Sequence, residues 1–84
     1  MVNRMTTDVM MPDLSTLDYI MEKALLMEWF KKEGESVKKG EPLFKIMSEK
    51  AVMEIEAPAS GILKSILIRE GAEAPPATKL ASIE

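Results

Sequence analysis

The chain has 84 residues, 46% of them hydrophobic and 30% charged, with a formal net charge of −3. That is enough for one small folded domain, it is not the composition of a disordered chain, and no excess of positive charge is present to hold nucleic acid. Cysteine and histidine are both absent, which removes disulfides, thiolate nucleophiles, imidazole bases and most zinc ligand sets, and favours a module that another protein acts upon over an enzyme catalytic by itself.

In chain order, residues 1–7 read as a flexible lead-in, with the domain proper over residues 8–84. No signal peptide or membrane-length apolar run is apparent, because the uncharged stretches are short and broken by polar residues or proline. A soluble compartment without membrane contact is therefore expected, the prokaryotic cytoplasm ahead of the mitochondrial matrix. A first strand is expected over residues 8–11. Residues 19–32 are rich in Met, Glu, Lys, Ala and Leu and, taken alone, favour a helix.

The second half of the chain overrides that preference. Displaced by 37 positions, the separation of Gly34 and Gly71, Leu26, Glu33, Gly34, Leu43 and Ile46 fall on identical residues at Leu63, Glu70, Gly71, Leu80 and Ile83. Trp29-Phe30 falls on Ile66-Leu67, while Lys31/Ile68 and Phe44/Ala81 do not match. Such self-similarity marks a duplicated structural unit. Residues 61–69 carry Ile62, Ile66 and Ile68 and read as a strand, so their counterpart beginning at Ala24 is expected to be one too.

Each half then reads as strand, Glu-Gly turn, short strand, short loop, strand. Gly34 and Gly71 supply the positive φ of a tight turn, and Pro42, Pro75 and Pro76 argue against helix further along. With residues 8–11 and 51–57 added, about eight short strands result. The expected fold is all-β, a flattened barrel or sandwich of two four-stranded sheets with pseudo-two-fold symmetry, a barrel-sandwich hybrid. One asymmetry stands out: Pro12 precedes Ala24 by 12 residues, whereas Pro58 precedes Gly61 by 3. The insertion, residues 13–21, is expected as a surface loop at the same end as the hairpin joining the halves.

That hairpin runs over residues 43–57. A two-residue turn at Glu49-Lys50 pairs Ser48 with Ala51, Met47 with Val52, Ile46 with Met53, Lys45 with Glu54 and Phe44 with Ile55. Ile46/Met53 and Phe44/Ile55 make one apolar face, and Lys45/Glu54 are opposite charges on the other, so a one-residue slip is disfavoured. Without an Asn-Gly pair, an unprimed type I turn is expected. Lys50 then stands at an exposed tip. Trp29, Phe30 and Phe44 read as core or partly buried aromatics, and the 8 methionines as gap-fillers in a small core.

Met11-Pro12, Glu28-Trp29, Lys32-Glu33-Gly34, Val37, Gly40, Glu49-Lys50-Ala51, Glu54, Ala57-Pro58, Gly61 and Glu70-Gly71 fall in the order and spacing of a known family. The chain resembles the lipoyl domains of dihydrolipoyl acyltransferase components of 2-oxo acid dehydrogenase complexes, over nearly its whole length. The resemblance implies lipoate carried covalently on Lys50, with Glu49 and Ala51 as flanking recognition residues. It implies shuttling of acyl groups and electrons among a thiamine-dependent 2-oxo acid decarboxylase, an acyltransferase core and dihydrolipoyl dehydrogenase. It also implies a lipoate-protein ligase to load the arm, a longer acyltransferase of which this is one domain, and a monomeric isolated domain. Glu22, Glu49, Glu54 and Glu56 are candidate partner contacts or simply a solvated face. The sequence departs from the family's habit at Ser48-Glu49, where Thr-Asp is usual, and at Ala24 and Ala77, where glycine is favoured.

An ordinary lysine amine, with a pKa of about 10.4, is an ammonium at neutral pH and a poor nucleophile, so attachment is expected to need the ligase's activated acyl group and base. The alternative is a biotin carrier domain of a biotin-dependent carboxylase, which shares the fold by resemblance. Biotin-accepting lysines there sit between two methionines, whereas Met47 and Met53 stand at the wrong spacing from Lys50. The glycine-cleavage carrier protein is longer and has extra helices. An interaction domain with an unmodified lysine is the remaining reading.

Overall fold

The computed structural model describes residues 6–84, so residues 1–5 of the expected lead-in lie outside the described residues. Eight strands follow one another among the described residues: β1 Thr7–Met10, β2 Ala24–Trp29, β3 Ser36–Val37, β4 Pro42–Met47, β5 Val52–Glu56, β6 Gly61–Ile66, β7 Glu73–Ala74 and β8 Lys79–Ile83. They form two four-stranded sheets, in the orders β1-β8-β6-β3 and β5-β4-β2-β7. The residues that favoured a helix by composition form β2. Ala24 and Leu26 point into the core, Met27 and Glu28 face water, and pairing with β4 and β7 outweighs local propensity.

The repeat is the architecture. Under the 37-residue displacement β2, β3 and β4 become β6, β7 and β8, and β1 becomes β5 once the insertion is allowed for. The same exchange converts one sheet order into the other, so the expected pseudo-two-fold holds strand by strand. The repeated apolar residues are the core: Leu26, Leu63, Leu43, Leu80 and Ile46 are wholly buried, with Ile83 nearly so. Leu43 and Leu80 also occupy matching irregularities, where the β4–β5 ladder skips from Pro42 to Phe44 and the β1–β8 ladder from Ala81 to Lys79. A bulge turns consecutive residues to one side, which is why Leu43-Phe44 and Leu80-Ala81 both face inward.

Each half completes the other. The Gly34 amide donates to the Leu63 carbonyl and the Gly71 amide to the Leu26 carbonyl, at 2.7 and 2.8 Å. The glutamate before each glycine reaches the facing strand as well: Glu33 accepts from the Ile66 amide and Glu70 from the Trp29 amide, both at 2.7 Å. These are charge-assisted bonds to backbone donors that β2 and β6 would otherwise present to water. Trp29 adds a bond from Nε1 to the Ile68 carbonyl at 3.0 Å and stacks, tilted, against Phe44 with ring centroids 5.2 Å apart.

The insertion is an ordered wall built from its own short-range bonds. Thr16 and Tyr19 exchange backbone hydrogen bonds at 2.7 and 3.4 Å, closing a tight turn with Leu17 fully exposed at its apex. The Ser15 hydroxyl donates to Asp13 Oδ1 and accepts from the Met21 amide at 2.9 Å. Bonds donated to Asp13 by the Ser15 hydroxyl and by the Ser15 amide hold its carboxyl below the usual aspartate range. Leu14 and Tyr19 pack against the core, and Met21 is buried in it.

Glu70→Ala and Glu33→Ala each remove one inter-half anchor, and each is expected to lower stability by about 1 kcal/mol in urea unfolding. A midpoint unchanged by both would show that water replaces the carboxylates at no cost. Ala77 is the one non-glycine residue with positive φ among the described residues, at 67°, and its repeat counterpart is Gly40 at 93°. Ala77→Gly is expected to raise stability by about 0.5–1 kcal/mol, relief of left-handed strain exceeding the added chain entropy. The lowered Asp13 pKa means its bonds contribute fully above the unfolded aspartate pKa and are lost as pH falls through the lower folded value. The amide signals of Ser15 and Met21 are expected to titrate together below the ordinary aspartate range, and Asp13→Asn to abolish that transition.

Candidate functional site

The tip of the β4–β5 hairpin has the register that its residue pairs dictate: Phe44 opposite Ile55, Lys45 opposite Glu54, Ile46 opposite Met53 and Met47 opposite Val52. The turn closes with the Ser48 amide donating to the Ala51 carbonyl at 2.8 Å. Neither Glu49 nor Lys50 has positive φ, so the primed hairpin turns are absent, in line with the unprimed turn expected. The Ser48 hydroxyl oxygen accepts from the Lys50 and Ala51 amides at 3.3 and 3.2 Å. A side chain that satisfies two turn amides holds the bend without a glycine.

Lys50 is exposed, as are its neighbours Glu49 and Ala51. Its ammonium lies 5.9 Å from the centroid of the Tyr19 ring, at the outer limit of a cation–π contact. The insertion therefore stands beside the lysine, at the end of the sandwich where it was expected. Tyr19 forms a shared wall between two clefts. One is floored by Leu25 and Met47 and edged by Glu22, Glu49 and Glu73. The other, of about 400 Å³, lies between Leu14 and Tyr19 on one side and Ala51 and Met53 on the other, with Lys50 at its rim.

The acidic candidates divide. Glu22 and Glu49 stand together at the tip, whereas Glu54 lies further along β5 opposite Lys45, and Glu56 lies at the far end of that strand opposite Pro42. Two participants escaped the sequence reading. Tyr19 sits in the insertion, which has no repeat counterpart to fix its placement, and only its aromatic character beside apolar Leu14 and Ile20 hinted at a packed role. Ser48 is legible in the sequence as the partner of Ala51 and as a departure from the family pattern, but not as an acceptor for the turn amides, although a serine two residues before a turn position is a recognisable signal. The apolar face expected for Ile46 and Met53 is half covered: Ile46 is buried, while Met53 is 43% exposed because β5 is an edge strand.

The geometry presents one primary amine on a rigid, protruding bend flanked by carboxylates and an aromatic ring. The family model described as biotin-requiring enzyme matches residues 7–83. The chain is 43% identical over 79 residues to the dihydrolipoyllysine-residue acetyltransferase component of the acetoin cleaving system of Bacillus subtilis, covering 94% of this chain and 19% of that protein. It is 42% identical over 69 residues to the acetyltransferase component of the pyruvate dehydrogenase complex of Zymomonas mobilis, covering 82% of this chain and 15% of that one. The chain thus spans less than a fifth of the length of these relatives. The solution structure of the lipoyl domain of the 2-oxoglutarate dehydrogenase complex from Azotobacter vinelandii superposes with a TM-score of 0.68 at 28% identity, covering 87% of this chain and 95% of that one. With the duplicated sandwich, the exposed hairpin lysine and these similarities together, the chain belongs to the biotinyl/lipoyl-attachment family, as one of its lipoyl domains.

Proposed function

We propose that Lys50 carries lipoate in amide linkage, and that this chain is the carrier domain of an acyltransferase component in a 2-oxo acid dehydrogenase complex. The observation that carries the reading is the exposed Lys50 amine on a hairpin whose turn is fixed by Ser48. The residues fit the group: the amine is accessible, the bend is held by Ser48, and the relatives that match the chain are named for dihydrolipoyllysine. When bound, the dithiolane would supply a disulfide that accepts an acyl group and two electrons.

The chain's own residues supply the anchor and the presentation. A ligase would place an activated lipoyl carbonyl against the Lys50 nitrogen, and the amine would lose its proton to a base on that enzyme. The C–N bond forms as the bond to the activating group breaks. Glu49 and Ala51, beside the lysine, would be read by the ligase together with the hairpin's shape. Afterwards the domain would serve the decarboxylase, the acyltransferase core and dihydrolipoyl dehydrogenase in turn. Tethering would raise the arm's concentration at each site to about millimolar, making each encounter effectively intramolecular. Glu22 and Glu49 place negative charge where those partners would approach, which favours basic entrances on them.

Incubation with lipoate, ATP and a lipoate-protein ligase is expected to add one lipoyl group by intact mass, localised to Lys50 by peptide mapping. Without ligase no gain is expected, and Lys50→Arg is expected to abolish it while leaving the unfolding midpoint unchanged. A biotinyl gain with a biotin ligase and none with the lipoate ligase would overturn the reading.

A further inference from the structure

We propose that the cleft between the insertion and the hairpin is a seat for the acyl arm of Lys50, so that the arm rests against its own domain between encounters. This rests on the reading of Lys50 as lipoylated. The cleft is about 400 Å³, within the roughly 300–1,000 Å³ span of small-ligand sites. Lys50, the attachment point, is among the residues that line it, and Leu14, Tyr19, Ala51 and Met53 give it a largely apolar lining. The far wall is built: the Thr16–Tyr19 backbone pair, the Ser15–Met21 bond and the packing of Leu14 and Tyr19 on the core hold it in place.

The lysine already leans the right way, with Nζ over the Tyr19 ring at 5.9 Å. Amide formation would remove the positive charge and with it the attraction of ammonium to ring. What replaces it is an uncharged, saturated chain ending in a sulfur ring. That is the chemistry which gains from leaving water against Leu14 and from sulfur contact with an aromatic face and a thioether. Ser15, Thr16 and Asp18 line the same cleft from the insertion and supply polar contacts for the amide end. The cleft lies outside the repeat, because Leu14 and Tyr19 belong to the insertion and the other half has only a short connection at the equivalent place.

The test is proton NMR on the domain loaded by ligase, with the mass gain at Lys50 confirmed first. Tyr19 is the single tyrosine of the chain, so its ring signals are unambiguous. Cross-relaxation between arm protons and the Tyr19 ring, the Leu14 methyls and the Met53 methyl is expected. The dithiolane signals are expected to be broader than those of a lipoylated peptide spanning the hairpin alone. Tyr19→Ser is expected to remove those contacts and sharpen the signals; if that variant does not fold, the contacts in the unaltered chain decide the question. Full loading at Lys50 with no such contacts, or contacts indifferent to Tyr19→Ser in a folded variant, overturns the seat while leaving the carrier reading intact. Absence of the lipoyl mass gain overturns both.

Discussion

The structure depends on a reciprocal exchange: the Glu-Gly turn of each half satisfies backbone groups on a strand of the other. Gly34 and Glu33 bind β6, and Gly71 and Glu70 bind β2, with near-identical distances. Neither half closes its hydrogen bonding alone. The short strands show the same dependence, since β3 is only Ser36–Val37 and pairs with β6, while β7 is only Glu73–Ala74 and pairs with β2. Isolated strands of that length have no stability in water. Six leucine and isoleucine side chains, in three repeat pairs, fill the space between the sheets. Burial and bonding thus follow one operator, and a change to either half is felt in both.

The proposed attachment site lies where that operator fails. Residues 13–21 have no counterpart in the second half, and the β4–β5 bend joins the halves only once. These two departures meet around Lys50, where Tyr19 comes within reach of the ammonium. The symmetric part of the molecule supplies a stiff frame with paired ladders on both sides. The asymmetric part supplies an amine, an aromatic wall, exposed Leu17 and Ile20, and the carboxylates of Glu22 and Glu49. Side chains there can vary without disturbing the bonds that hold the two halves together.

Much of this was legible in the residues. The hairpin register followed from pair chemistry, because Lys45 opposite Glu54 and Ile46 opposite Met53 leave no comparable alternative. The strand at Ala24–Trp29 followed from its repeat partner, against its own composition. What was not legible depends on distant contact. Tyr19 and Lys50 are separated by most of the first half, and no periodicity couples them. Glu33 and Glu70 were visible as repeated residues, but not as acceptors for Ile66 and Trp29, because a glutamate before a turn glycine ordinarily reads as solvated charge. The exposure of Met53 reflects the edge position of β5, a property of sheet order that alternation does not encode.

The pairing of Thr7 with Ile83 has a mechanical meaning. Under the two-fold exchange that pairing corresponds to Met53 with Ile46, next to the lysine bend, so the outer ends of β1 and β8 occupy the opposite pole. A tether joined to either strand would grip the domain from behind. Its slack would then add to the radius that the amine can sweep, and a pull on it would load the ladder at the rear and spare the bend at the front.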